Sequence, residues 1–346
     1  MRVWALPYDS AYTCSFYQAV EDAGVDVLPA VWSSSWIYND VKGNDIVHIH
    51  WPSFAYKGSG SYLSILVSFI KFSVLMLIIR LKGARVWWTA HNLFPHERCR
   101  IRWIDVLGRH LIIALASKIF VHGAMAKSVL LTRFPKCAPK CHTIPHGHWV
   151  GAYGELVEKN VARKTLGLPE DKPVYLLIGH LKPYKNLEGL IEAFLALDSD
   201  GILLLAGKFS DAAYAKKISG MTEGHSNIRI DARFIPNEEM PFYLGASDAI
   251  CLPYTDILTS GAAVLAMSYA RPVISIDKGF MREVITEDSG VLVSTGNNTA
   301  LILAMREIVK KDWDQNKILQ HVSQYTYTEA ASVFVSQLEP SLKTSY

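Results

Sequence analysis

The stretch VYLLIGHLKPYKNLEGLIEAF, residues 174–194, decides the fold class. Its first five residues are an unbroken apolar run, the pattern of a strand buried on both faces. A turn follows at Gly179, and a helix begins near Asn186. A buried strand feeding directly into a helix is half of a β–crossover–β unit, and such units build parallel sheets. His180, Lys182 and Lys185 lie in the turn, where a helix N-terminus favours a bound anion and a diphosphate would meet cationic side chains.

The same alternation extends outward in both directions. Strands are expected at 2–6, 45–50, 85–90, 118–122 and 141–144 in the first half, and at 174–178, 201–206, 228–231, 249–252, 272–276 and 290–293 in the second. Short apolar runs separated by helical stretches predict an α/β protein with doubly wound, Rossmann-like sheets. With 346 residues, half of them apolar, the chain has material for two domains of ordinary size. They are expected at 1–155 and 165–326, with a hinge near 150–166 where GAYGELVEKN breaks the pattern, and a terminal helix at 327–346 that packs back on the first domain.

The net charge of +3 conceals an asymmetry, +7 over residues 1–160 and −4 over 161–346. A basic half points to phosphates, on an anionic membrane or on a nucleic acid. No recognised nucleic-acid module accompanies it, and a nucleic-acid partner is not expected. The five cysteines, at 14, 99, 137, 141 and 251, form no disulfide framework, and Cys137, Cys141 and His142 lack a second ligand pair at zinc-like spacing. No metal site is expected. The N-terminus MRVWALPYDS has no apolar core behind a basic start, so a cytoplasmic location is expected.

One segment stands apart. Residues 62–82, YLSILVSFIKFSVLMLIIRLK, are long and apolar enough for a membrane span, yet Lys71 sits at their centre and Arg80 and Lys82 close the run. The composition favours a helix lying in a membrane interface over one that crosses it, with a buried core helix as the plain alternative. Arg98, Arg100, Arg102 and Trp103 form a second basic and aromatic patch in the same half. Together they predict peripheral attachment to an anionic membrane surface.

Ligands of doubly wound sheets gather at the carboxyl ends of the strands. DIVHIHWP, at the end of the second expected strand, places His48 and His50 on one face by alternation, as ligand contacts or as structural histidines. WWTAHNLFPHE puts His91, Asn92, His96 and Glu97 in one loop; FVHGAMAKSVL and TIPHGHW add His122, His146 and His148, with Gly147 expected to relieve a tight turn. Thr259, Ser260 and Gly261, in ICLPYTDILTSGAAVLAMSYARPVISID, form a helix cap whose N–H groups suit phosphate oxygens. Two motifs are discounted: the DSD at 198–200 belongs to a turn, and YKGSGSY at 56–62 is glycine-rich without the lysine placement of a phosphate loop. GxGxxG after a strand is absent, which argues against a nicotinamide enzyme.

In order, DIVHIHW, the His91 loop, PHG, IGHLKPYKNLEGLIEAF, RFIPNEEMPFYLGASDAICLPY and SGAAVLAMSYARPVI resemble the landmarks of the GT-B glycosyltransferase superfamily, and within it the bacterial exopolysaccharide mannosyltransferases of the xanthan type. The resemblance implies two Rossmann-like domains facing a central cleft. It also implies a nucleotide-sugar donor, GDP-mannose first and a UDP-sugar second, a lipid-linked saccharide acceptor and no cofactor. It implies that Lys185 grips the donor diphosphate with help from His180, that Ser260 and Gly261 receive it, that Phe234 and Ile235 pack beside the base with Arg233 and Glu238 nearby, and that His91 touches the transferred sugar.

The chain departs from the pattern in one respect. Retaining relatives carry two glutamates eight positions apart; aligned on Pro272 these are Ile257 and Leu265 here, with Asp256 as a replacement for the first if the loop shifts by one residue. Inversion is therefore expected, and it needs a base for the acceptor hydroxyl from among His91, Glu97, His50 and Asp9. The alternatives are a retaining enzyme, a sugar-nucleotide epimerase of the same fold, and a non-catalytic nucleotide-sugar-binding partner of a transferase.

Overall fold

The computed structural model describes residues 1–57, 61–95 and 97–338. It divides into two compact units, Met1–Gly147 with the segment from Tyr325 onward, and His148–Gln324. The region 150–166 lies in the second unit, because the helix Lys159–Thr165 is packed against the helix Met240–Ala246. Buried Arg163 clamps this contact, donating to the Ala246 carbonyl at 3.0 Å, the Glu170 carbonyl at 2.6 Å and the Asp248 carboxylate at 2.6 Å.

The first unit holds a parallel sheet of β1 (Val3–Leu6), β2 (Val27–Pro29), β3 (Ile46–Ile49), β4 (Arg85–Thr89), β5 (Ala116–His122) and β6 (Cys141–Ile144), in the order β2-β1-β3-β4-β5-β6. Five of these stand where the apolar runs predict them. The sixth, β2, escapes sequence reading because three residues ending in a proline carry no periodicity, and an edge position is where a sheet tolerates proline. The helices Ala11–Asp22 and Tyr327–Ser336 pack together over this sheet, and the rings of Phe16, Trp87 and Phe120 close around Phe334 at centroid distances of 4.6–5.3 Å. The terminal helix expected to 346 thus ends at Ser336, and 339–346 lie outside the described residues.

The second unit holds β7 (Val174–Ile178), β8 (Ile202–Ala206), β9 (Ile228–Asp231), β10 (Ala249–Leu252), β11 (Val273–Ile276) and β12 (Gly290–Val293), parallel and ordered β12-β11-β10-β7-β8-β9. In each sheet the first strand lies inside the order, so the direction of strand addition reverses beside it: between β1 and β3 in one unit, and between β7 and β10 in the other. Loops diverge at such points and open a crevice at the carboxyl ends of the strands.

Two glycines are forced by close approach. Gly207 has φ +148°, and a Cβ there would fall 2.0 Å from the Gly179 carbonyl oxygen, so the loops after β7 and β8 meet backbone to backbone. Gly147 does not relieve a turn as its sequence context suggests; a Cβ there would sit 2.4 Å from the Tyr327 ring, and the side chain is absent to admit that ring.

Candidate functional site

In the first unit the crevice beside β1 opens into a cavity of about 470 Å³ lined by Pro7, Tyr8, Asp9, Trp32, Trp51 and Phe54, among others. Its volume suits a sugar-sized ligand. Asp9 is exposed on the loop between β1 and the cap residue Ser10. The Trp51 ring, at the end of β3, stacks on His91 with centroids 4.5 Å apart.

Behind that wall runs a buried polar chain. Thr89 Oγ1 is 2.8 Å from His48 Nε2; His48 Nδ1 is 2.8 Å from the Tyr17 hydroxyl; that hydroxyl is 2.8 Å from His50 Nε2; and His50 Nδ1 is 2.9 Å from His91 Nε2. Alternation does put His48 and His50 on one face, and Tyr17, from the helix Ala11–Asp22, bridges them. A second ring of histidines surrounds buried Tyr12, whose ring lies 4.8 Å from His91, 5.2 Å from His122 and 5.0 Å from His146. Burial keeps these imidazoles neutral: His48 is pushed down to about 3 and His146 to about 4, while His50, His91 and His122 fall well below the ordinary histidine value, each also disfavoured by a neighbouring imidazole.

The four base candidates separate by geometry. His50 uses both ring nitrogens inside the chain. Glu97 is exposed and ion-paired with Lys57 at 2.5 Å. His91 ends the chain beside Trp51, and Asp9 faces the cavity. His96 lies outside the described residues. Sequence reading did not select Tyr17 or Thr89, since an aromatic on a core-facing helix and a threonine in a strand carry no sign of polar partnership.

In the second unit, the loops after β7 and β10 meet at the strand-order reversal. The Thr255 amide donates to the Tyr184 carbonyl at 2.9 Å, and the rings of Tyr184 and Tyr254 lie 5.6 Å apart. Lys185, 4% exposed, donates to the Ile178 carbonyl at 2.9 Å. Burial, with the charge of Lys182 second, lowers its ammonium to about 7. Asn186 caps the following helix from a left-handed conformation, φ 57°, and Ser260 caps the helix Gly261–Ser268 by accepting from the Ala263 amide at 3.3 Å. The remaining first-turn amides of both helices have no intrahelical partner, so a lysine poised between charge states stands with two helix N-termini around one crevice, an arrangement suited to an anion.

The other expected donor contacts are more dispersed. His180 is exposed, Lys182 half-buried and Thr259 buried. Arg233 is paired with Asp231 and Glu239, so its charge braces the loop after β9; beside it Phe234 presents an exposed ring, Ile235 is buried, and Glu238 starts no cap contact. Asp256 is exposed, 3.4 Å from the Lys278 ammonium, and Ile257 is buried.

The helix Tyr62–Leu81 buries Ile65, Phe72, Leu75, Met76 and Ile79 and leaves Leu63, Val67, Ile70, Val74, Leu77 and Leu81 exposed. Steps of three and four residues make the exposed set one stripe, about 30 Å long at 1.5 Å per residue. Lys71 and Arg80 are exposed along this helix. Lys82 is engaged elsewhere, donating to the Ile37 and Tyr38 carbonyls at 2.8 Å. Arg98, Arg100, Arg102 and Trp103 are exposed, with Arg100 over the Tyr62 ring at 5.4 Å and Arg98 over Phe94 at 4.0 Å.

Residues 158–328 match the family model "Glycosyl transferases group 1". The chain carries a glycosyltransferase group 1 domain and has the GT-B fold. Over 271 residues the transferase is 24% identical to a GDP-mannose:glycolipid 4-beta-D-mannosyltransferase of Xanthomonas campestris pv. campestris, covering 76% of this chain and 69% of that protein. Its fold matches sucrose-phosphate synthase of Thermosynechococcus elongatus at a TM-score of 0.74 and 19% identity, covering 97% of each chain. It also matches Anabaena HepE in complex with UDP, at 0.71 and 13% identity over 98% of this chain and 99% of that one.

Proposed function

We propose that the transferase moves mannose from GDP-mannose, or failing that a sugar from a UDP donor, to a lipid-linked saccharide with inversion, at the inner face of a bacterial membrane during exopolysaccharide assembly. The observation that carries the lipid acceptor is the exposed apolar stripe of the helix Tyr62–Leu81, with Arg98, Arg100, Arg102 and Trp103 exposed nearby in sequence. Apolar area and positive charge together are what an anionic bilayer binds. The mannosyltransferase relative supports the donor and the acceptor class.

In this reading the aromatic cavity holds the acceptor sugar, Asp9 takes the proton of the attacking hydroxyl, and the leaving diphosphate is met by Lys185 and the helix starts at Asn186 and Ser260. The chemistry is metal-independent, and turnover is expected to survive EDTA. Inversion predicts a β-mannoside from the α-linked donor, read from the anomeric proton and carbon by NMR. An α product overturns it and moves attention to Asp256.

Lys185→Met is expected to weaken nucleotide binding by about 1.5–3 kcal/mol, the range for a hydrogen bond to a charged group, while the nucleotide-free melting temperature holds or rises. The loss is read as a vanished thermal shift with GDP. The lysine also sets a pH dependence. Free Lys185, near 7, loses its proton as pH rises through neutrality, whereas a bound diphosphate holds it charged. Binding therefore takes up a proton above pH 7, and affinity falls as pH rises from 7 to 9. Calorimetry in buffers of different ionisation enthalpy measures this, and pH-independent binding refutes it.

A further inference from the structure

Beneath the loop that follows β4, a buried acid and a buried base turn away from each other. Asp105 and Arg109 lie at i and i+4 on the helix Arg102–Leu115, a spacing at which such residues ordinarily pair. Each serves the loop instead: Arg109 Nε donates to the Leu93 carbonyl at 2.6 Å, and the Cys99 amide donates to Asp105 Oδ2 at 3.0 Å. Asp105 Oδ1 and Arg109 Nη1 are left sealed from solvent with no hydrogen-bond partner among the described residues.

The Tyr56 hydroxyl is in the same condition, buried and unpartnered among the described residues. Its ring packs on Phe69 and Phe72 at centroid distances of 5.6 and 5.3 Å, which fixes where the oxygen falls. A Cβ at Gly108 would lie 2.8 Å from that oxygen, so the hydroxyl rests on the helix at the residue beside Arg109, one turn on from Asp105. Burial pushes the phenol up to about 12, the charge of Arg109 acting against this and that of Asp105 with it, so a neutral hydroxyl stands near both charges. A carboxylate oxygen, a guanidinium nitrogen and a hydroxyl each cost free energy when buried unpaired. One carboxylate with one guanidinium is neutral overall, and Arg98, 3.7 Å from Asp105 Oδ2, is exposed and screened by solvent. The group that satisfies these atoms is therefore neutral, and water fits. It donates to Asp105 Oδ1, accepts from Arg109 Nη1 and has a hydrogen and a lone pair left, either of which suits the Tyr56 hydroxyl; about three bonds is usual for a buried water.

We propose that Tyr56, Asp105 and Arg109 hold one buried water between them, and that this cluster fixes the loop after β4 against the segment Trp51–Tyr56, making the three positioning residues for sugar transfer. Both parts that it joins belong to the candidate site. The loop opens with His91, just before the anchored Leu93; the segment carries Trp51 and Phe54, which line the cavity, and Trp51 stacks on His91. The ion pair of Lys57 with Glu97 ties the same two parts again at the surface. Exposed pairs contribute little, whereas a buried charge deprived of its partner is costly, so the buried cluster and not the ion pair sets how the two parts meet.

The water and the loop anchorage are properties of the chain alone; only the effect on turnover rests on the proposed transfer reaction. A high-resolution crystal structure of the whole protein is expected to show one ordered water within about 2.6–3.2 Å of Asp105 Oδ1, Arg109 Nη1 and the Tyr56 hydroxyl. Tyr56→Phe removes one of its three partners while keeping the ring packing and both charges, so the fold is spared. In that variant the Cys99 amide, which donates to Asp105, is expected to exchange its hydrogen about tenfold faster by NMR. Transfer from GDP-mannose is expected to lose about tenfold in kcat, with KM for the donor and the thermal shift with GDP unchanged, because the loop and not the donor site has loosened. A dry site, or Asp105 bonded directly to Arg109, overturns the proposal. So does a Tyr56→Phe protein with wild-type exchange at Cys99, or one with wild-type kcat. An ordered water and faster Cys99 exchange in a protein that transfers no sugar from GDP-mannose or a UDP-sugar leave the cluster standing and refute the donor reading instead.

Discussion

Asp9→Asn is expected to lower kcat by about 10²–10⁴, the range for removing a general base, while GDP binding and the melting temperature stay at wild-type values. The asparagine keeps the shape of the side chain and its place on the cavity wall but has no site for the hydroxyl proton. Asp9 is exposed, so no buried partner is orphaned and the fold is spared. The contrast with His91→Gln is the informative part. A residue that only donates a hydrogen bond costs a factor nearer ten, because glutamine still offers an N–H. Single-turnover rates with saturating donor separate the two. Equal losses at Asp9 and His91 would mean that the histidine carries the proton after all, and an Asp9→Asn enzyme at full speed would remove the carboxylate from the mechanism.

The second large effect concerns the membrane. The double substitution Val67→Glu, Val74→Glu places two carboxylates on the exposed stripe of the helix Tyr62–Leu81. Wild-type protein is expected to cosediment with vesicles of phosphatidylglycerol and phosphatidylethanolamine, and the double variant is expected to remain in the supernatant. Each exposed valine gives up about 1.5–3 kcal/mol of burial in the lipid, and each glutamate adds repulsion of about 1 kcal/mol near an anionic surface, so a loss of more than 100-fold in partitioning follows. Neither valine is in the core, so circular dichroism should be unchanged. Salt is expected to weaken wild-type binding only in part, because apolar burial is not screened. Wild-type protein left wholly in the supernatant at low salt would sink the membrane reading. In that event a lipid-linked acceptor would have to be captured from the bilayer by some other surface.

The parts of this protein that sequence reading reached have a common property. Strands buried on both faces are mostly apolar, so 11 of the 12 strands among the described residues announce themselves, and the twelfth, β2, is silent because three residues at an edge need not be. The turn holding Lys185 is legible for a similar reason: an unbroken apolar run ends there and a helix start follows within a few residues. Lys82 shows the limit. It reads as part of a basic patch, yet its ammonium serves the carbonyls of Ile37 and Tyr38, an arrangement set by how a distant helix end happens to lie.

Local sequence thus determined the α/β class, the two parallel sheets, the greasy helix and the loops where ligands gather, because each depends on periodicity or on residue type within one element. Which of the strand-end residues act together was decided only by tertiary structure. The reversal of strand order beside β1 and β7 selects two crevices from among many strand ends, and no local pattern encodes strand order. The chain from Thr89 to His91 joins two strands, the ends of both and a helix across separations of 31 to 41 residues. A histidine in a sequence is an acid, a base, a donor or a ligand; burial against other imidazoles holds His91 neutral, and only the fold supplies that burial.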